Sequence, residues 1–482
     1  MVVGKYTLES LTNGMYSSPF DLYREYIQNS VDSIDSAIDK GIVLKDNAKI
    51  EIFIDTKNNT IKIADNGCGI AKDSATSTLI DIGNSNKSRN SNRGFRGIGR
   101  LAGLGYCDTL TFTTSAVGES CKTVVKYNAA LLKDLLIPGN SNEKSIFEVI
   151  EAVVDIKIYP EKESNHFFEV ELSNVDSSSK LTKYNDVKDY LIQHAPLPFS
   201  NDFKWGSVID KKMELNGYVI PSYNISLNVD GNEETLFKSY CDCVISDRIK
   251  KVEDKINDIA VALLKNNDNE TIAVAWYANT NCYGTILNKS QKGLRIRQGN
   301  ILIGDNQTCG SLFKEERFNG WVLGEIHVLD NNLIANSRRD NFEKNEAYYS
   351  FENAVKDFTL VISKEIRHYS YARNLKKDKR VIVESDDENN LLTEDVFFTS
   401  DIDECSLIDA PESEIVAEND FFDKLSMLIN KKNMQTKYNA LNINDKLTSE
   451  QRKTLERVFD LISSNYSKKS ADKFINIIAS DF

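Results

Sequence analysis

The sequence predicts an α+β fold, because an amphipathic helix near its start is followed by a strand hairpin and then by a long region of mixed patterns. The helix pattern has Ser18 as its N-cap and Pro19 as its first residue, and Gly41 ends it. The hairpin joins alternating segments at 49–55 and 60–64 through a polar turn. At 482 residues, the chain is long enough for two or three domains with their own cores.

The predicted first helix carries a polar stripe beside its apolar one. Glu25, Asn29 and Asp32 stand at i, i+4 and i+7, which places them on one helical face, and Ser33 follows directly. These residues supply a base for water, an oxygen ligand for a hard cation and an acid that orients them, which suits a metal–nucleotide site. Taken alone, the same stripe also fits a solvated helix face.

A short acidic and glycine-containing segment follows the second strand of the hairpin. Asp65 ends that strand, and Gly67, Gly69 and Ile70 come directly after it. A carboxylate there can accept a hydrogen bond from an exocyclic amine, and the glycines let a flat ring lie close to the backbone. Because Asn–Gly sequences favour turns, an ordinary hairpin turn is the alternative.

A polar, basic and glycine-rich run lies between residues 82 and 105. This composition is typical of a mobile loop that closes over phosphates with its backbone N–H groups. The candidate phosphate-binding residues are Lys87, Gly94, Phe95, Arg96, Gly97, Ile98 and Gly99. A solvated loop lysine is an equal alternative for Lys87.

A second region of mixed patterns covers about 178–380. Its predicted strands are 225–229, 272–276 and 324–328, and its predicted helices are 247–264 and 346–373. Arg295 and Arg297 alternate along a segment that looks like an exposed edge strand. Further on, Arg338 and Arg339 stand in a basic loop beside Asp340, with which either could form a structural ion pair.

The C-terminal part of the sequence changes character. Residues 384–423 hold fifteen acidic residues and no lysine or arginine, which predicts a solvated acidic linker. Residues 424–482 show helix patterns and are predicted to form a small helical unit.

Composition limits the partners and the compartment. A net charge of −13 disfavours a general nucleic-acid binder, although a local basic groove stays compatible with it. Eight scattered cysteines and four histidines lack zinc-site spacing, and reduced cysteines predict a cytoplasmic protein. The start of the sequence shows no leader pattern and no apolar run is long enough for a bilayer, so no membrane association is expected.

Three motifs, in this order, resemble those of the GHKL ATPases, which include the ninety-kilodalton heat-shock chaperones, MutL-type proteins, type II topoisomerases, MORC proteins and histidine kinases. Residues 24–32 resemble the family's N box, 65–69 its adenine motif and 94–99 its lid-end glycine box. The resemblance implies a Bergerat-type α/β sandwich ATPase domain over 1–177. Residues 336–340 are similar to the chaperone loop that sends an arginine to the γ-phosphate, which implies a chaperone-like middle (transducer) domain over 178–380. The tail does not resemble that chaperone's C-terminal domain.

The resemblance also implies roles for individual residues. Glu25 would position and deprotonate the attacking water, and Arg339, with Arg338 as the alternative, would reach the γ-phosphate. Asn29 would bind Mg²⁺, and Asp65 would read the adenine amine. The remaining nucleotide-binding positions would be Asp32, Ser33, Gly67, Gly69, Ile70, Lys87 and residues 94–99.

The function implied by the resemblance is that of a Mg-ATP-dependent ATPase that works as a nucleotide-gated homodimeric clamp on a protein client. A nucleic-acid clamp like MutL or MORC is the first alternative, and the acidic net charge disfavours it. The second alternative is a nucleotide-state switch that recruits a partner enzyme through the linker and tail. That role fits a bacterial defence or stress system, which no residue tests.

Overall fold

The computed structural model of the protein describes residue 16 and residues 18–81, 97–137, 145–247 and 251–385. Its α-helices there are α1 (Asp21–Asp39), α2 (Lys72–Ile80), α3 (Ala129–Leu136), α4 (Ile146–Val153), α5 (Tyr184–His194), α6 (Gly206–Leu215) and α7 (Glu346–Ser385). Short 3-10 helices cover Lys45–Asn47, Gly99–Gly105, Ser177–Ser179, Gly310–Leu312 and Glu316–Trp321.

The strands alternate with these helices along the chain. In chain order they are β1 (Lys49–Asp55), β2 (Thr60–Asp65), β3 (Thr109–Ser115), β4 (Cys121–Asn128), β5 (Val154–Pro160), β6 (Phe167–Ser173), β7 (Asn224–Val229), β8 (Asn232–Thr235), β9 (Cys243–Asp247), β10 (Lys251–Lys255), β11 (Asp258–Lys265), β12 (Thr271–Asn279), β13 (Thr285–Ile286), β14 (Gly293–Gln298), β15 (Ile301–Ile303) and β16 (Leu323–Val328). The architecture is therefore mixed, with sheets and helices in both regions of the sequence.

An eight-stranded sheet underlies the N-terminal half, in the order β5-β4-β3-β6-β2-β1-β7-β8. The predicted hairpin is confirmed, because β1 pairs antiparallel with β2 and Ile50 stands opposite Asp65. Ile50, Ile52 and Ile54 are all buried, as their alternation predicts. The hairpin thereby fixes Asp65 at a strand end.

Helix α1 buries its apolar stripe in the core of this half, with Ile27, Val31 and Ile34 at most 1% exposed. The helix begins at Asp21, slightly later than the sequence predicts. The reason is local, because the Ser18 side chain accepts from the backbone of Phe20 within the preceding turn instead of capping the helix. Gly41 follows the helix end with a φ of +68°, as expected of a terminating glycine.

The large sheet continues past residue 177, where the sequence predicts the first domain to end. β7 pairs in parallel with β1, and β8 pairs with β7. Both strands lie within the predicted middle domain. The division at 177 stays a prediction. The eight-stranded sheet contains strands from before and after this residue.

The second region builds two further sheets. One contains β11-β12-β16-β14-β15, and the other contains β10-β9-β13. The predicted strands at 225–229, 272–276 and 324–328 are confirmed within β7, β12 and β16. The long helix predicted at 346–373 is confirmed within α7, where Phe351, Val355 and Phe358 are buried.

The helix predicted over 247–264 is wrong, because this segment forms β10 and β11. Val252, Ile256 and Ile259 have helical spacing, but Ile259 onward also alternates as a strand does. β11 pairs antiparallel along β12, so long-range pairing decides between the two periods.

The exposed edge strand predicted around Arg295 and Arg297 is also wrong. Its residues form β14, which lies between β16 and β15, and both arginines are 1% exposed. Arg297 Nε donates to Oε1 of the buried Glu325, and Lys238 Nζ donates to Oε2 at 2.7 Å. Burial alone would raise the pKa of Glu325, but these two cations outweigh it and hold the pKa well below its usual range.

The chain divides into two compact units. Within the described residues, the first comprises those from 16 to 266 and from 271 to 377, and the second comprises Asn267–Glu270 and 378–385. Apart from residues 384 and 385 at the end of α7, the predicted acidic linker and helical tail lie outside the described residues. No helix in the described part of the chain is both long and apolar enough to cross a bilayer.

Candidate functional site

The Glu25 carboxylate on α1 is contacted by two guanidinium groups. Arg339 Nε lies 3.3 Å from Glu25 Oε1, and Arg24 Nη2 lies 3.4 Å from the same oxygen. Arg24 also contacts Asp21 at 3.2 Å. The side chains of Arg339 and Glu25 are only 11% and 13% exposed, so this pair is shielded from water more than an ordinary surface pair is.

The loop that carries Arg339 is held in one shape by its own hydrogen bonds. Asn336 Nδ2 donates to Asp340 Oδ1 at 2.6 Å, and the Arg339 carbonyl accepts from the Gly304 backbone at 2.8 Å. Arg338 contributes its carbonyl, which accepts from Arg24 Nη2 at 3.2 Å, while its side chain is exposed. The structure therefore brings the side chain of Arg339 to Glu25.

Gly99 packs directly against the Glu25 carboxylate. A Cβ placed on Gly99 would lie 2.2 Å from Glu25 Oε2, which is far too close for any side chain. One carboxylate oxygen thus faces the two arginines, and the other faces the glycine. The absence of a side chain at 99 is what leaves room for Glu25 in this position.

For the ATP turnover that the sequence resemblance implies, we expect Gly99→Ala to lower the rate and to leave the free energy of unfolding nearly unchanged. The new methyl group meets the far end of a flexible side chain, so the Glu25 carboxylate moves aside at little cost. Turnover measured with thermal unfolding checks this. Gly320→Ala is the matched control, because its Cβ would lie 3.4 Å from its nearest neighbour. Normal turnover in Gly99→Ala would contradict the expectation.

The Asp65 segment packs against the other half of α1. Asp65 is buried, and its Oδ1 accepts from the Gly67 backbone at 3.0 Å. A Cβ on Gly67 would lie 2.2 Å from Ser33 Oγ, and the Cys68 backbone donates to the Ser33 carbonyl at 3.3 Å. The predicted adenine-binding segment and the predicted polar stripe therefore meet at Ser33.

Gly69 and Ile70 are fixed to strands β3 and β6. Gly69 has a φ of +63°, and a Cβ there would lie 1.9 Å from the Ser115 carbonyl oxygen. The Ile70 backbone donates to Thr114 Oγ1 at 2.7 Å, and that hydroxyl donates to the Phe167 carbonyl. Thr114 is a supporting residue that the sequence did not reveal, because it reads as one of several alternating strand threonines.

Between these two ends, α1 presents the rest of its polar stripe. Asn29 is half-buried and Asp32 is buried. Ser33 lies eight positions after Glu25, which corresponds to roughly 12 Å along the axis at 1.5 Å per residue. The helix thus connects an arginine-contacted carboxylate with the buried Asp65 segment.

The glycine-rich segment is described only in part. Lys87, Gly94, Phe95 and Arg96 lie outside the described residues. Gly97 and Ile98 are described and lead into the 3-10 helix that starts at Gly99. This short helix is tied to α1 through Tyr26, whose hydroxyl donates to the Arg100 carbonyl and accepts from the Gly103 backbone at 2.9 Å.

Arg24 and Tyr16 border the site and were missed by sequence reasoning. Arg24 precedes Glu25, and a neighbouring position on a helix does not by itself predict a shared contact. Burial raises the pKa of Tyr16 well above its usual range, and the negative charge of Glu25 raises it further. The Tyr16 hydroxyl therefore stays protonated at neutral pH.

The comparison with protein families agrees with this arrangement of motifs. Residues 16–146 match the family described as histidine kinase-, DNA gyrase B- and HSP90-like ATPase. This segment is similar to the GHKL ATPases. The match supports an ATP-binding ATPase domain in the GHKL-like segment, which contains α1, the Asp65 segment and Gly99. No curated protein matches the chain.

Proposed function

We propose that the protein hydrolyses ATP with Mg²⁺ and uses the nucleotide state to gate a dimeric, chaperone-like clamp on a protein client. The contact between Arg339 and Glu25 at 3.3 Å carries this proposal. It joins the GHKL-like segment to a loop far downstream in the chain. An arginine at this position would be close to the γ-phosphate, where phosphoryl transfer to water requires positive charge.

The two ends of α1 suit the two ends of a nucleoside triphosphate. Asp65, packed at the Ser33 end, offers a buried carboxylate to the adenine amine. Glu25 and Gly99 lie at the other end, where the γ-phosphate and the attacking water would be. Backbone N–H groups around Gly97 and Gly99 would bind the phosphates between them.

The donor set along the helix fits a magnesium ion. Asn29 offers an amide oxygen half-way between Glu25 and Asp32, and hard cations prefer such oxygen ligands. Asn29 would therefore hold the ion against the triphosphate, as a neutral ligand that adds no negative charge. When bound, Mg²⁺ would neutralise charge on the phosphate oxygens.

In the proposed reaction, Glu25 orients a water molecule and accepts its proton as the oxygen attacks the γ-phosphorus. The bond between the γ-phosphorus and the β–γ bridging oxygen breaks, so ADP leaves with the bonding electron pair and inorganic phosphate is formed. Arg339 leaves Glu25 and contacts the γ-phosphate, because one guanidinium cannot neutralise both groups fully. Arg24 stays with Glu25 and fixes the direction of its carboxylate, since its contact with Asp21 lies within the same helix, while its hydrogen bond to the Arg338 carbonyl breaks as the loop moves. The charge that develops on the leaving phosphates is then offset by Arg339.

The contact between Arg339 and Glu25 would couple nucleotide binding to the conformation of the region after residue 177. The Arg339 loop is bonded to Gly304, directly after β15, so a displacement of Arg339 acts on the five-stranded sheet. We infer that ATP closes the clamp by drawing this loop toward the γ-phosphate. The net charge of −13 favours a protein client over a nucleic acid.

The decisive test of nucleotide recognition is Asp65→Asn. The amide can still accept from the Gly67 backbone, so we expect the fold to be kept and ATP affinity to fall. Loss of one charged hydrogen bond corresponds to about 1.5–3 kcal/mol, or roughly 10–100-fold in Kd. Isothermal titration with ATP measures this, and Asp46→Asn at an exposed position is the matched control. Unchanged affinity in Asp65→Asn would refute the proposed adenine site.

A further inference from the structure

The strand β5 forms one edge of the large sheet and carries apolar side chains that are exposed. Within the described residues, β5 pairs only with β4, where Ile156 stands opposite Val125 and Ile158 opposite Thr123. Directly opposite residues share one face of a sheet, and Val125 and Thr123 are buried. Ile156 and Ile158 are nevertheless 39% and 51% exposed. The face of the sheet that is buried at β4 is therefore exposed to solvent at β5.

The other face of β5 carries a pair of opposite charges. Asp155 and Lys157 flank Ile156, and their side chains are 57% and 61% exposed. Their charged atoms lie 2.7 Å apart along the strand. Charged side chains often protect an edge strand from unwanted pairing, but one acid and one base cancel in net charge and leave two apolar neighbours open.

The order of these residues makes the strand complementary to itself. If two copies of β5 pair antiparallel about Ile156, each Asp155 stands opposite the Lys157 of the other copy, and each Val154 stands opposite an Ile158. Every cross-strand pair is then either apolar or oppositely charged, which is the favourable combination. Both copies also keep their apolar stripes on the same face of the joined sheet.

Neighbouring registers lack this property. Pairing centred on Asp155 places two carboxylates opposite each other, and pairing centred on Lys157 places two ammonium groups opposite each other. A register shifted by one residue places isoleucine opposite a charged side chain. The apolar stripes of the two copies then lie on opposite faces of the joined sheet. The charges therefore specify the Ile156-centred register.

We propose that β5 is the contact between two copies of this chain, which join their eight-stranded sheets across a two-fold axis at Ile156. The pairing is isologous and closes after two copies, so it forms a dimer and no filament. This contact needs no nucleotide. It would hold two protomers together in every nucleotide state and leave ATP-driven closure to other surfaces.

The test uses charge reversal in the full chain, without nucleotide, followed by sedimentation equilibrium. In Asp155→Lys two lysines face each other in both charge pairs, and in Lys157→Asp two carboxylates do. We expect each variant to dimerise with a Kd raised about tenfold, from cross-strand terms of up to about 1 kcal/mol each. An equimolar mixture of the two variants should form heterodimers at close to the parent affinity, because both opposite-charge pairs are restored.

The mixture separates this contact from general damage to the fold, since an unfolded variant cannot be rescued by another. Raising the salt concentration should shrink the difference between each variant and the parent. A parent chain that stays monomeric at all concentrations overturns the proposal, and so does a mixture that dimerises no better than its components. Because no ATP is present, the outcome is independent of the proposed ATPase activity.

Discussion

Glu25→Ala should bind ATP and fail to hydrolyse it. The carboxylate is the candidate proton acceptor for the attacking water, and general-base removal typically lowers turnover by about 10²–10⁴-fold. The proposed adenine contact is Asp65, whose segment packs at Ser33, about two helical turns from Glu25 along α1, so the substitution should leave it in place. We expect kcat to fall within that range in a steady-state phosphate-release assay.

The Kd of Glu25→Ala for ATP tests the proposed role of Glu25 as well as kcat does. Glu25 and the γ-phosphate would compete for Arg339, which lies 3.3 Å from the carboxylate. Without Glu25, this competition for Arg339 is removed, so the Kd for ATP should stay equal or fall. A strongly raised Kd would mean that Glu25 holds the site together and does not serve as a base.

Two further variants make the result specific to the carboxylate. Glu25→Gln keeps the shape beside Gly99 but cannot accept the proton, so it should lose turnover as Glu25→Ala does. Glu51→Gln removes an equal charge from a half-exposed position on β1 and should turn over normally. Normal hydrolysis by Glu25→Gln would exclude Glu25 as the base.

The parts of the site that the sequence predicted are those encoded within short segments. Helical spacing places Glu25, Asn29 and Asp32 on α1, and the hairpin pattern delivers Asp65 to the end of β2. Both are local properties that periodicity and turn chemistry determine. The pairing of Gly99 with Glu25 needed the folded chain, because no local rule links residues so far apart.

The errors arose where tertiary contacts outweigh local pattern. Val252 and Ile256 fit a helix, yet β10 and β11 gain hydrogen-bonded neighbours in two sheets. Arg295 and Arg297 look like surface charges in the sequence, but Arg297 is buried because Glu325 neutralises it from the adjacent strand β16. An arginine's partner on another strand cannot be identified from its own segment.

Arg339→Ala should lower turnover far more than Arg338→Ala, although the two residues are adjacent and carry the same charge. Only the side chain of Arg339 reaches Glu25, while the Arg338 side chain is exposed and its backbone carbonyl makes the contact to Arg24. A phosphate-contacting arginine contributes about 10³–10⁵-fold in phosphoryl transfer. We therefore expect a large fall in kcat for Arg339→Ala and a change below about threefold for Arg338→Ala, which keeps its carbonyl.

Two further variants distinguish an arginine that contacts the γ-phosphate from one that only positions Glu25. If Arg339 acts on the γ-phosphate, Arg339→Lys recovers part of the rate, because an ammonium group keeps the charge but not the planar geometry. If Arg339 merely orients Glu25, the double variant Arg339→Ala with Glu25→Ala should be no slower than Glu25→Ala alone. Single-turnover rates of Arg339→Ala, Arg339→Lys, Glu25→Ala and the double variant distinguish the two cases. Equal rates for Arg338→Ala and Arg339→Ala would contradict the proposed role of the loop, since the structure gives the two side chains different surroundings.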